Sequence, residues 1–125
     1  MAEATAHVNG IELVYETIGD PTDPPVLLVM GLGMQLIHWD RALCEQLAER
    51  GFWVIRFDNR DAGLSTKIDA PVPDIRRAMV GLHVDAPYLL ADMAEDAIGL
   101  LDHLGIEAAH LVGASMGGMI AQEMA

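Results

Sequence analysis

Cysteine, basic residues and long apolar runs are what this sequence has least of, and each shortage excludes something. Cys44 is the one cysteine in 125 residues, so no intrachain disulfide and no thiol cluster for zinc is available, and a reducing compartment fits. Seven Lys and Arg against nineteen Asp and Glu leave a formal charge of -12. That balance repels phosphate backbones and anionic membrane surfaces, and neither nucleic acid nor membrane is an expected partner. No apolar stretch approaches the roughly 20 residues that span a bilayer, and no basic, apolar, small-residue leader opens the chain. A cytoplasmic protein is the expectation. The five histidines show no metal-ligand spacing, and there is no internal repeat.

What is present is apolar content, 52% of the chain, enough to bury the core of one domain over 1–125. Residues 5–8 and 11–18 read as strands around Asn9-Gly10, a pair that favours a tight primed turn, and so as an opening hairpin. After a proline-rich loop, residues 26–30 form an unbroken apolar run, as expected of a strand buried on both faces, and end in Gly31-Leu32-Gly33. Trp39, Leu43 and Leu47 recur at helical spacing and are expected in the core. Residues 52–57 are the next strand and 58–65 the loop after it. Pro71, Pro73 and Pro87 punctuate an irregular stretch in which 74–80 forms a short helix. From Leu89 a helix places Met93, Ala97, Leu101 and Leu104 on one face and Asp92, Glu95, Asp96 and Asp102 on the rest, with Gly105 as its stop. Residues 109–112 are the last strand. Alternating strands and helices after a hairpin imply a mostly parallel sheet, with ligands at the carboxyl ends of its strands.

That last strand runs into Gly113-Ala114-Ser115-Met116-Gly117, and a helix-like run follows. A serine on so sharp a strand-to-helix turn needs small neighbours, which Gly113, Ala114, Gly117 and Gly118 supply. Its hydroxyl would stand at the sheet edge, beside the unpaired N–H groups of a helix start. The alternative is a glycine-rich turn whose serine caps the helix. A dinucleotide fingerprint fails, because Leu36 stands where the third glycine would follow Gly31 and Gly33, although Asp58 ends the next strand as a ribose-binding acid would. A Walker loop fails for want of a lysine after the glycines.

Taken in register, the Ser115 turn, Gly31-Leu32-Gly33 and Asp58-x-Arg60-Asp61-x-Gly63-x-Ser65 resemble the amino-terminal part of an α/β-hydrolase, over essentially all 125 residues. The last motif and Met30-Gly31 are similar to small-molecule esterases of the aclacinomycin methylesterase type. The resemblance implies an α/β fold, the amino-terminal portion of a single α/β-hydrolase domain, with a mostly parallel sheet and helices on both faces. It implies that Ser115 is the nucleophile, that the backbone N–H groups of Leu32 and Met116 form the oxyanion hole, and that Gly113 and Gly117 support the elbow. Hydrolysis of a small carboxylic ester through an acyl-enzyme follows, with no metal or organic cofactor. A serine disfavours dehalogenation, which uses aspartate there in related folds; carbon-carbon bond hydrolysis and perhydrolysis stay open. Many relatives have histidine where Met30 stands, a departure expected to alter loop packing rather than the Leu32 amide.

The resemblance also implies an acid and a histidine on later strands, in the order serine, acid, histidine. His7, His38, His83, His103 and His110 are each expected at surface or packing positions, His38 being the one just after the oxyanion loop. Met119, Ile120 and Met124 describe an apolar helix face running to Ala125 without a stop signal. The expectation is therefore a fragment of a longer enzyme or a partner-completed chain, with an unpaired sheet edge available for association. The competing class is a catalytically inert domain that binds a ligand or partner. Asp58, Arg60 and Asp61 are expected to support a hydrogen-bonded corner.

Overall fold

Asn9 and Gly10 both adopt positive φ, 49° and 76°, the requirement of a primed turn. Accordingly β1 (Ala4–Val8) folds back antiparallel on β2 (Ile11–Ile18), with Val8 opposite Ile11. The computed structural model describes residues 3–70 and 75–125. Three further strands, β3 (Pro25–Val29), β4 (Trp53–Phe57) and β5 (His110–Gly113), complete a sheet of order β1-β2-β4-β3-β5. Both β4 and β5 run parallel to β3, while β2 is antiparallel to β1 and to β4. Hence β2 alone is reversed. Among the described residues β5 is an edge strand, bonded only to β3.

Strands covered on both faces read as continuous apolar runs, and all five residues of β4 and the last four of β3 are buried. Alternation then divides them between two layers. Leu27, Val29, Ile55 and Phe57 meet α3 (Leu90–His103) and α4 (Met116–Met124) through Met93, Ala97, Leu100 and Ile120. Val26, Leu28, Met30 and Val54 meet Trp39 and Cys44 of the opposite layer, which contains α1 (Arg41–Glu49). Helices therefore cover both faces, as expected. Cys44 is fully buried there, and burial pushes its thiol up from its ordinary value.

Three expectations need correction. Leu43 is 42% exposed rather than core. The reason lies at the helix start: Asp40 caps α1, accepting from the Ala42 N–H at 3.0 Å, and Trp39 before it is extended, closing a 3-10 turn over Leu36–His38. Trp39 and Leu43 thus share no helical face, and Cys44 takes the inward position. Asp96, expected on the polar face, is 1% exposed, because it receives Arg60 at 2.6 and 2.7 Å and Asn9 at 2.8 Å. Met119 is exposed while Ile120 is buried and Met124 packs against the core, since α4 offers the sheet only one narrow face. The short helix appears as α2 (Ile75–Met79); Pro71, Pro73 and Asp74 lie outside the described residues. Among the described residues no helix is long and apolar enough to cross a membrane.

Candidate functional site

Three loops leave the carboxyl edge of β3, β4 and β5. The turn after β5 is held by close backbone packing: Ala114 N–H donates to Val29 O at 3.0 Å, and Gly117 and Gly118 N–H groups close onto Ala114 O and Ser115 O at 2.9 Å each. A Cβ at Gly117 would lie 2.0 Å from Val29 O, and one at Gly113 would lie 2.4 Å from Gly117 O. Only glycine fits at either position. Ser115 is forced to φ 55°, ψ −124°, and although it occupies the position before α4 its side chain makes no capping bond. The hydroxyl is not spent on the helix, contrary to the cap alternative, and the residue is exposed.

The loop after β3 lies directly against this turn. A Cβ at Gly31 would stand 3.2 Å from Ser115 Cβ. Leu32 follows, 68% exposed, and a turn closes where Met34 N–H donates to Gly31 O at 3.3 Å. Among the described residues neither the Leu32 nor the Met116 N–H has a hydrogen-bond partner. Side chains from the end of β4 and the residues just after it pin this loop. Asp58 Oδ1 accepts from Leu36 N–H at 2.7 Å, Arg56 Nη1 donates to Trp39 O at 2.7 Å, and Asn59 Nδ2 donates to Met30 O at 2.9 Å. Arg56 is itself buried against Glu16, which also receives Arg41 at 3.1 Å. Burial alone would raise the Glu16 carboxyl, but the two guanidinium groups outweigh it and hold it below its ordinary value.

The loop after β4 is the corner expected of it. Asp58 accepts from Leu64 N–H at 3.0 Å, and its carbonyl accepts from Ser65 Oγ at 2.6 Å; Ser65 Oγ in turn accepts from Val14 N–H at 2.9 Å. Tyr88 donates its hydroxyl to Asp61 Oδ2, and the Arg60 guanidinium lies 4.7 Å from the Tyr88 ring centroid. The three segments, joined by Tyr88 and Met93, line a partly open cavity of about 150 Å³ whose walls include Leu32 and Met116. Leu32 and Met116 are thereby brought to one place. Tyr88 and Met93 were not singled out for a site in the sequence. Met93 reads there as plain core spacing, and nothing local says that Tyr88 will reach Asp61.

The histidines have other engagements. His38 Nδ1 accepts from Gln35 N–H at 2.8 Å, His7 faces Glu12 at 3.5 Å and His83 faces Asp85 at 3.0 Å. His103 and His110 lie edge-on to Tyr15 and Phe52. Among the described residues no histidine is hydrogen-bonded to Ser115, and no group of three His, Cys, Asp or Glu side chains is arranged to hold a metal ion.

A sheet with helices on both faces, a serine at positive φ between β5 and α4, and an adjoining glycine loop after β3 make up an α/β fold with a presented serine at its carboxyl edge. Residues 24–125 match the family model of the alpha/beta hydrolase fold, and the chain belongs to that family. Within it the likeness is to esterases of the aclacinomycin methylesterase type. The chain is 38% identical over 115 residues to rhodomycin D methylesterase DauP of Streptomyces sp. (strain C5), and 36% identical to rhodomycin D methylesterase DnrP of Streptomyces peucetius. Each match covers 92% of this chain and 34% of the relative, so the chain spans about a third of their length. Among solved structures, epoxide hydrolase A from Mycobacterium thermoresistibile superposes with a TM-score of 0.80 at 26% identity, covering 98% of this chain and 34% of that one. The enol-lactonase from Burkholderia xenovorans LB400 gives 0.74 at 32% identity, covering 94% and 39%.

Proposed function

We propose that the protein hydrolyses small carboxylic esters, with Ser115 as nucleophile and the Leu32 and Met116 N–H groups as oxyanion donors. The observation that carries this reading is the backbone of Ser115, held at φ 55° with a hydroxyl that caps nothing. Strain of this kind costs on the order of 1–3 kcal/mol and persists only where surrounding structure enforces it. Ser115 Oγ attacks the ester carbonyl carbon, and the carbonyl electron pair moves to the oxygen, which accepts hydrogen bonds from the two amides. Collapse breaks the bond to the alkoxy oxygen; the proton taken from Ser115 by a general base goes to the leaving alcohol. Water then attacks the acyl-serine and releases the acid. Each oxyanion donor contributes about 3 kcal/mol in such sites.

The methylesterase and enol-lactonase names of the relatives support an ester or lactone carbonyl as the target. On this reading the histidine and its acid belong to the part of the relatives' length that this chain does not match, in the order serine, acid, histidine. Gly113 and Gly117 support the elbow. A cytoplasmic location is proposed from the single unpaired cysteine, and association through the open edge of β5 from its unmatched backbone groups. A second reading, a binding module without turnover, is favoured by the absence of any histidine bonded to Ser115 among the described residues.

Intact-protein mass after exposure to a fluorophosphonate separates the two. A single adduct that disappears in Ser115→Ala supports the nucleophile. In protein that also carries the acid and histidine this reading requires, folded material without an adduct overturns it in favour of the binding module.

A further inference from the structure

The cavity of about 150 Å³ is lined by Leu32, Met116, Tyr88 and Met93 together with Asn59, Arg60 and Asp61. It therefore adjoins the place where an ester carbonyl would sit between the two amides. Its polar neighbours are already engaged. Asn59 is bonded to Met30 O, Arg60 grips both oxygens of Asp96, and Asp61 accepts from the Ile68 N–H at 2.6 Å and from the Tyr88 hydroxyl. Burial and the neighbouring Asp61 push the Tyr88 hydroxyl up to about 12, so it keeps its proton and stays committed to Asp61 at neutral pH. What remains to line the space is mainly apolar: Leu32, the Tyr88 ring, Met93 and Met116. The free donors there, the Leu32 and Met116 N–H groups, are taken by the ester carbonyl oxygen on the reading above, and a further charged group would lose its hydration against the apolar lining.

We infer that this cavity receives a compact, uncharged, apolar substituent of the ester, with Tyr88 and Met93 limiting its size. An apolar cavity of about 150 Å³ accommodates benzene, which sets the limit at one aromatic ring rather than two. The substrate side of the inference rests on the reading of Ser115 above, whereas the preference for apolar groups rests on the lining alone. Whether the substituent is on the acyl or the alcohol side is a question of which arm of the ester points past Met116, and both arms share the same chemistry.

The probe is toluene, titrated into protein carrying isotope-labelled methionine methyl groups, with Ser115→Ala alongside so that binding is read without turnover. Of the eight methionines, Met93 and Met116 are expected to shift saturably in both proteins. Naphthalene is expected to leave them unmoved in the native protein and to shift Met116 in Tyr88→Ala and in Met93→Ala, two independent enlargements of which either suffices. Absence of toluene shifts at these methyls, or admission of naphthalene by the native protein, overturns the inference. Two ester series, one lengthened on the acyl side and one on the alcohol side, name the arm. In one of them kcat/KM falls about tenfold per methylene beyond the cut-off, and Tyr88→Ala removes that fall. A cut-off in neither series, in an enzyme whose turnover needs Ser115, overturns the subsite. Turnover that survives Ser115→Ala overturns the serine reading, and the toluene titration then decides the cavity by itself.

Discussion

Two turns leave the same edge of the sheet with a non-glycine residue at positive φ: Asp61 at 64° after β4, and Ser115 at 55° after β5. At Asp61 the polar groups are engaged by the protein. Its N–H donates to Thr66 O at 2.9 Å, one carboxylate oxygen accepts from Ile68 N–H and the other from Tyr88. At Ser115 the hydroxyl engages no group among the described residues. Both residues hold a positive φ, but at Asp61 the side chain's own bonds support it, whereas at Ser115 packing around Gly113 and Gly117 imposes it from outside. The first arrangement holds a shape. The second presents a group.

The comparison can be broken or sharpened by substitution. Asp96→Ala strands Arg60, whose side chain is 9% exposed, as a buried unpaired charge, and is expected to cost about 3–5 kcal/mol in denaturant unfolding. Gly117→Ala drives a Cβ into Val29 O and is expected to cost about 3 kcal/mol and to abolish fluorophosphonate labelling. The decisive pair is Asp61→Gly and Ser115→Gly. Each relieves a positive φ, but the first also forfeits its hydrogen bonds and is expected to lose about 1 kcal/mol, while the second is expected to gain up to about 1 kcal/mol and to lose all labelling. Shifts of equal sign in unfolding midpoint would remove the distinction drawn between the turns.

The smallest effect is pH dependence. Because the folded-state Glu16 carboxyl is held below its ordinary value, the unfolded chain takes up its proton first as pH falls. Its contribution is fully present above the ordinary carboxylate range and is lost as pH drops through the lowered folded value. Unfolding midpoints followed from about pH 7 to about pH 3 are expected to fall less steeply in Glu16→Gln than in the native protein.

Much of this was legible in sequence because it is local. Asn9-Gly10 announces its turn, the apolar run of β3 announces a strand covered on both faces, and small residues around Ser115 announce the tight passage from β5 to α4. The misreadings share a cause. Trp39, Leu43 and Leu47 fit a helical period, but Asp40 captures the Ala42 N–H and starts the helix after Trp39. Asp96 fits a polar face until Arg60, from a loop 36 residues earlier, folds over it. The cavity was invisible for the same reason: Leu32, Met116 and the Tyr88–Met93 stretch come from three separate segments and carry no common spacing.

Cys44, the one thiol, sits fully buried on the inward face of α1 with its acidity suppressed, and so reacts only when that layer lifts from the sheet. Its rate of capture by an exposed-thiol reagent is thus a clock for local opening, readable without any label being engineered in. Run with and without toluene, the same clock reports whether filling the cavity at the carboxyl edge of the sheet steadies the whole chain or only its own surroundings.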